Sequence, residues 1–361
     1  MSSFELVVVG SGGGPLETNL SCYLFKEYDS DWDKGIIALE AGSGLGALSV
    51  LLKDNPDLLG DLGRASKSSV GAANVFDRVH SFLITHAHLD HVGSLVLSAG
   101  SYKGPRKKVI SSQEVLEFIE SVFQDKVWPK LATWNPHDPP FNYLLSSIEV
   151  GERYHKITTN ISVRAMPLSH GTTVSLQPYQ SLAFFVRHNV TKREFLFFGD
   201  VEPDSHSQKA TTKAVFRAAA PLIVAKQLNT IFLECSYPIG RSDDLLFGHL
   251  SPIHFVDELR SLAQEVSELK AIAHSAQSTE PRSNSQPPQK RRRSLAPDSV
   301  ACEDSLEGVC VYVIHCKEPM EEMDDPRPIA QFIVAQINCL LEEFNLGVRV
   351  MAAEQGMRIL I

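Results

Sequence analysis

Residues 86 to 91 read His-Ala-His-Leu-Asp-His, three imidazoles and one carboxylate within six positions. Such a compact, borderline-soft ligand set suits zinc or a neighbouring first-row metal. The apolar run before it, Val79 to Thr85, reads as a buried strand that stops at the cluster. Ligands at a strand end are held rigidly and can face a cleft. The stretch Val92 to Leu97 reads as the start of a helix packed behind them. The bland alternative is a polar loop with chance histidines. It is disfavoured because unpaired polar groups beside a core strand are costly.

One such cluster makes at most half of a two-metal site, so ligands are sought at later strand ends. Four candidates follow: His170 after Met166-Pro167-Leu168-Ser169, Asp200 after the apolar run Phe195 to Phe198, Glu234 after Ile231-Phe232-Leu233, and His315 after Val309 to Ile314. Each alone is a weak signal. Together they place metal-competent residues repeatedly at carboxyl-terminal strand ends, the edge where α/β sheets bind ligands.

The elements that must carry these residues are strand-like segments at 4–9, 20–26, 35–39, 79–85, 107–111, 161–166, 181–187, 194–198, 229–234 and 309–315. Helical spacing runs from Gln113 to Val127 and over 328–345. Another helix opens at Ser251-Pro252, with serine as N-cap and proline in the first turn. The mixture predicts an α/β protein with sheets covered by helices, in one domain spanning 1–361. Residues 275–308 are rich in Ser, Pro, Gln and charge, and read as a disordered insertion within that domain. Trp128 to Tyr143 reads as an ordered surface excursion, a capping loop rather than a substrate contact. The glycines of Gly12-Gly13-Gly14 and Gly42-Ser43-Gly44-Leu45-Gly46 lack dinucleotide and Walker spacings and read as tight turns.

Bulk properties narrow the function. The chain has 34 basic and 43 acidic residues, a net charge of −9, which argues against a broad nucleic-acid footprint and gives no membrane-surface signal. No apolar stretch approaches the ~20 residues that span a bilayer. Six cysteines without CxxC spacing, and a start that reads as a strand rather than a leader, predict reduced thiols and a cytoplasmic protein.

His86-x-His88-x-Asp90-His91 followed by His170, Asp200 and His315 resembles the motif set of the metallo-β-lactamase superfamily. Within it, Thr85 to Gly93 resembles the signature of the class II cyclic-nucleotide phosphodiesterases. Gly12-Gly13-Gly14-Pro15, Ser169-His170-Gly171, Phe198-Gly199-Asp200, Glu234-Cys235-Ser236-Tyr237 and Gly248-His249-Leu250-Ser251-Pro252 support that reading. The resemblance implies an αββα sandwich of two mixed sheets flanked by helices. It implies one metal on His86, His88 and His170, a second on Asp90, His91 and His315, and Asp200 bridging both, with water or hydroxide as the other bridge and zinc as the expected metal. It implies hydrolysis of a 3′,5′-cyclic purine nucleotide, cyclic AMP or cyclic GMP, to the 5′-monophosphate. By analogy with tRNase Z-type endonucleases, His249 becomes the general acid oriented by Glu234, so the catalytic set is His249, Glu234 and Asp90. A homodimer is a further expectation. The rivals are an RNA-processing endonuclease or thioester hydrolase on the same scaffold, and a non-catalytic scaffold. The other histidines, His206 and His254 among them, fit no motif and read as structural or surface.

Lys290-Arg291-Arg292-Arg293-Ser294-Leu295 resembles the consensus of cyclic-AMP-dependent protein kinase. Phosphorylation of Ser294 would place ~1.5–2 negative charges beside four cations, a feedback device for a cyclic-AMP hydrolase.

Overall fold

The structure, a computed structural model, describes residues 2–63, 71–174, 177–277 and 302–361. The first half of the chain builds one sheet from β1 (Phe4–Gly10), β2 (Cys22–Glu27), β3 (Ile36–Leu39), β4 (Val79–Leu83), β5 (Lys108–Ser111), β6 (Ala132–Thr133) and β7 (Tyr143–Ser147). Helices α1 (Leu45–Asp54), α2 (Ala72–Phe76), α3 (Leu89–Ser98) and α4 (Gln113–Val122) belong to this half. The second half builds another sheet from β8 (His155–Lys156), β9 (Ile161–Thr172), β10 (Pro178–His188), β11 (Glu194–Phe198), β12 (Leu228–Glu234), β13 (Cys310–Ile314) and β14 (Arg349–Ala352). Its helices are α5 (Thr211–Val224), α6 (Pro252–Gln277) and α7 (Ile329–Leu341). The last strand, β15 (Arg358–Leu360), returns to pair antiparallel with β1. The sheet orders are β15-β1-β2-β3-β4-β5-β7-β6 and β14-β13-β12-β11-β10-β9-β8. Both are mixed: β3-β4-β5-β7 and β11-β12-β13-β14 are parallel, and β1-β2-β3 and β9-β10-β11 antiparallel.

The side chains sort into three layers of core, which is the expected αββα sandwich. Phe4, Leu6 and Val8 of β1 face the other sheet, while Val7 and Val9 face the first sheet's helices. In β11, Phe195 and Phe197 point between the sheets and Leu196 and Phe198 toward the second set of helices. A strand buried on both faces reads as an unbroken apolar run, and this is why these segments were legible. Between the sheets Phe4, Phe25 and Phe195 pack edge to face at 5.1–6.1 Å between centroids.

Several boundaries differ from the sequence expectations. The helix expected over 113–127 stops at Val122, because Phe123 leaves the helical path and buries its ring. The one expected over 328–345 is Ile329–Leu341. Pro221 lies inside α5 and masked it, yet Val215, Phe216, Ala219 and Ala220 form its buried stripe. At both ends of the segment expected as an insertion, 275–308, the described residues are built into the fold. Residues 275–277 continue α6, and Leu306 is fully buried in the second sheet's helix-side core. Lys270 Nζ donates to the Ser305 carbonyl at 3.0 Å, which ties the two edges of the segment together. Residues 278–301, and with them Ser294, lie outside the described residues. Among the described residues no helix is long and apolar enough to cross a membrane.

Candidate metal centre

Strand ends from both sheets converge on one rim of the sandwich. His86 lies in the turn that leaves β4, His88 is the N-cap of α3, and Asp90 and His91 occupy its first turn. His170 stands near the end of β9, Asp200 just past β11, Glu234 at the end of β12 and His315 just past β13. His249 lies in the segment that leads into α6. All nine residues singled out in the sequence, Ser294 apart, meet here.

The ligand atoms form two groups that share Asp200. In the first, His86 Nε2 and His88 Nδ1 are 3.1 Å apart, His88 Nδ1 and His170 Nε2 3.3 Å, and His86 Nε2 is 3.4 Å from Asp200 Oδ2. In the second, His91 Nε2 and His315 Nε2 are 3.1 Å apart. Asp200 Oδ1 lies 3.2 Å from His91 Nε2, and Asp90 Oδ2 lies 3.2 Å from His315 Nε2. Ligand atoms around a tetrahedral zinc, with bonds of ~2.0–2.1 Å, stand ~3.3 Å from one another. The spacing therefore fits a cation inside each group. Asp200 Oδ2 is buried and makes no hydrogen bond, an orphan that a cation would satisfy.

Electrostatics agree. Burial pushes the rings of His86, His88 and His170 below the usual histidine range, so they stand neutral with free lone pairs, as ligands must. Burial works to raise the Asp200 carboxyl, but His315, His91 and His86 hold it well below its ordinary value. Burial also works to lower His91, yet Asp200, Asp90 and Glu40 together push it well above. Three carboxylates, Asp200, Asp90 and Glu40, thus favour positive charge at the second group.

Three outward nitrogens are already hydrogen-bonded. His86 Nδ1 is 3.0 Å from Thr85 Oγ1, His170 Nδ1 2.8 Å from the Gly248 carbonyl, and His315 Nδ1 3.0 Å from Ser236 Oγ. His91 Nδ1 makes no hydrogen bond; the Glu40 carboxylate stands 3.6 Å from it. The three hydrogen-bond partners fix which nitrogen faces inward. His88 instead stacks on the Tyr179 ring, with centroids 4.5 Å apart and planes 11° from parallel. Glu40 and His315 both hold left-handed φ, 60° and 59°, backbone strain of about 1–3 kcal/mol each stored beside the centre. The sequence reading missed Glu40, although it closes the predicted strand 35–39 as Asp200 closes its own. Nothing in the sequence pointed to Tyr179.

Two glycine runs read as tight turns have a second reason. A Cβ at Gly13 would strike the His315 ring, and one at Gly42 would strike the carbonyl of Asp90. The backbone passes here because the ligands leave no room for a side chain.

His249 Nδ1 is 2.8 Å from Glu234 Oε1, and its ring stacks on His315 with centroids 5.0 Å apart. Glu234 Oε1 also accepts from Val201 N and its Oε2 from Ser236 Oγ. Burial and then Asp200 push Glu234 above the usual carboxylate range, and burial pushes His249 below the usual histidine range. Two cavities open on the centre. The wider, about 1640 Å³, passes Gly13, Asp90 and Lys317 and has an apolar wall that includes Leu89, Val127 and Trp128. The excursion that begins at Trp128 thus borders the cleft rather than merely capping the fold. The narrower cavity, about 700 Å³, is bounded by His88, His170, Tyr179 and His249.

The family model for class-II cAMP phosphodiesterases matches residues 65–356. The chain belongs to this family. The 3′,5′-cyclic-nucleotide phosphodiesterase of Schizosaccharomyces pombe is 32% identical over 271 residues, 72% of this chain and 75% of that one. The structure of unliganded yeast PDE1 superimposes with a TM-score of 0.79 at 22% identity and covers 100% of both chains. A metallo-β-lactamase fold protein from Bacillus subtilis, YhfI, superimposes with a TM-score of 0.54 at 12% identity over 99% of both chains. The fold is thus metallo-β-lactamase-like. A class-II phosphodiesterase is an enzyme that hydrolyses a 3′,5′-cyclic nucleotide, which sets aside the endonuclease, thioesterase and scaffold readings.

Proposed function

We propose that this phosphodiesterase works with two divalent cations, zinc in the first instance. His86, His88 and His170 would hold one, Asp90, His91 and His315 the other, and Asp200 both. The observation that carries the assignment is the inward convergence of five ring nitrogens at 3.1–3.3 Å, with three outward nitrogens hydrogen-bonded to other partners. When bound, such a pair supplies Lewis acidity toward phosphate oxygens and acidifies an attacking water.

The chain's own residues supply the rest. The substrate is a cyclic purine nucleotide, and the 3′ ester is the bond that breaks. Lys317, whose Nζ is 3.9 Å from Asp90 Oδ2 and lies on the wider cleft, adds a cation beside the phosphate. The Glu234–His249 pair holds one proton between them. Whether it rests on the carboxyl or on Nδ1, His249 keeps a hydrogen on Nε2. Donating that hydrogen to the departing 3′ oxygen neutralises the alkoxide, while Glu234 supports the ring. The reaction thus yields the 5′-monophosphate.

The test is release of 5′-AMP and 5′-GMP from the cyclic nucleotides, with and without chelator, alongside metal analysis of His88→Ala and Asp200→Ala. Both variants are expected to lose turnover and bound zinc together. A variant retaining full activity and two metals would refute the ligand assignment.

A further inference from the structure

Away from the centre, two histidines that match no motif meet across one carboxylate. His206 Nε2 lies 3.7 Å from Asp243 Oδ2, and His254 Nε2 lies 3.7 Å from Asp243 Oδ1. The ligand atoms of all three residues lie within 4.8 Å of one another. The rings meet edge to face, with centroids 5.0 Å apart. Each residue comes from a different piece of chain: the segment between β11 and α5, the 3₁₀ turn Asp243–Leu245, and the first turn of α6. At 3.7 Å the ring nitrogens are too far from the carboxylate for hydrogen bonds. Small side-chain rotations would bring all three onto one ion of the zinc type.

A further observation points to a ligand. His254 Nδ1 is 2.9 Å from Ser251 Oγ, which turns Nε2 toward Asp243, the arrangement that orients a metal-binding imidazole. The supporting chain is also fixed. Asp204 accepts from Thr212 N at 3.0 Å and Lys213 N at 2.7 Å, and its own N–H donates to Glu258 Oε1 at 2.8 Å.

We propose that His206, Asp243 and His254 form an auxiliary cation site of the zinc type, distinct from the catalytic centre, that brakes the enzyme when zinc is in excess. Three protein ligands leave a fourth position for water. The site binds more weakly than the centre and fills after it. His206 and Asp243 also line the narrower cavity, whose other walls include His88, His170 and His249. A bound ion ties the segment after β11 to the chain that runs from Asp243 to His249. It thereby narrows that cavity and restrains the His249 segment.

The measurement is zinc uptake by equilibrium dialysis of the full chain, comparing wild type with the His206→Ala/His254→Ala double variant and with His206→Ala alone. Wild type is expected to take up one equivalent more than the double variant. The exposed single variant should bind that last equivalent at least about tenfold more weakly. Because the comparison is a difference, it reads separately from whatever the centre holds. Activity without added zinc should be unchanged, while inhibition by excess zinc should be lost in the double variant. Equal uptake by wild type and double variant would overturn the site. Equal inhibition of both would overturn the brake. Unchanged thermal unfolding of His206→Ala guards against misreading a folding defect.

Discussion

Each imidazole offers two nitrogens, and its outward partner decides which one faces in. Thr85, Ser236 and the Gly248 carbonyl do this for His86, His315 and His170. The proposed chemistry separates holding metal from moving a proton. His249 bonds Glu234 at 2.8 Å and belongs to neither Asp200-sharing ligand group. His249→Ala is therefore expected to cut turnover by roughly 10²–10⁴-fold, the range for a lost general acid, while zinc content stays at the wild-type level. Kinetics paired with metal analysis check this. A variant that loses its zinc would make His249 a ligand instead. Glu234 was visible in the sequence as the residue that ends an apolar strand, whereas His249 was reached only through the resemblance to related phosphodiesterases. The sequence could not name Tyr179, whose ring meets His88 only after β10 has been laid beside β9.

Elements place these residues through their ends, and the packing between elements sets its own pH dependence. Glu258 of α6 is buried and accepts from the backbone of Asp204. Burial pushes its carboxyl up to about 7, against 4.5 for the free group. Between those values the folded chain holds a proton that the unfolded chain has released. Stability contributed by this group is therefore present below pH 4.5 and lost as pH rises through about 7. Glu258→Gln keeps an acceptor for Asp204 N and removes the charge. It is expected to be more stable than wild type at pH 8, by up to ~3 kcal/mol, and close to wild type at pH 4. Thermal unfolding at the two pH values decides it. An equal difference at both would mean that ionisation is not the cause.

At the scale of the whole molecule the centre is a clasp. Its candidate ligands come from β4 and α3 of one half and from the ends of β9, β11 and β13 of the other. An ion held there binds the folded chain and not the unfolded one, and at a thousandfold excess over its dissociation constant this is worth ~4 kcal/mol. Stripping zinc with a chelator is expected to abolish turnover and lower the unfolding temperature by several degrees. Adding zinc back should restore both. Loss of activity with no change in unfolding temperature would show that the clasp contributes nothing to the fold.

The sequence by itself determined the layers and the types of the candidate ligands. Strands buried on both faces are written as unbroken apolar runs, and a histidine or carboxylate closing such a run is visible without a structure. Pairing was decided only in three dimensions. The short strands β7, β14 and β15 exist because neighbours offer them hydrogen bonds. Glu40 reaches His91 only because β3 lies beside β4. His206, Asp243 and His254 meet only because three separate segments fold onto one another. Local pattern records how a residue is buried, but contacts between distant segments depend on how the two sheets close over their common core.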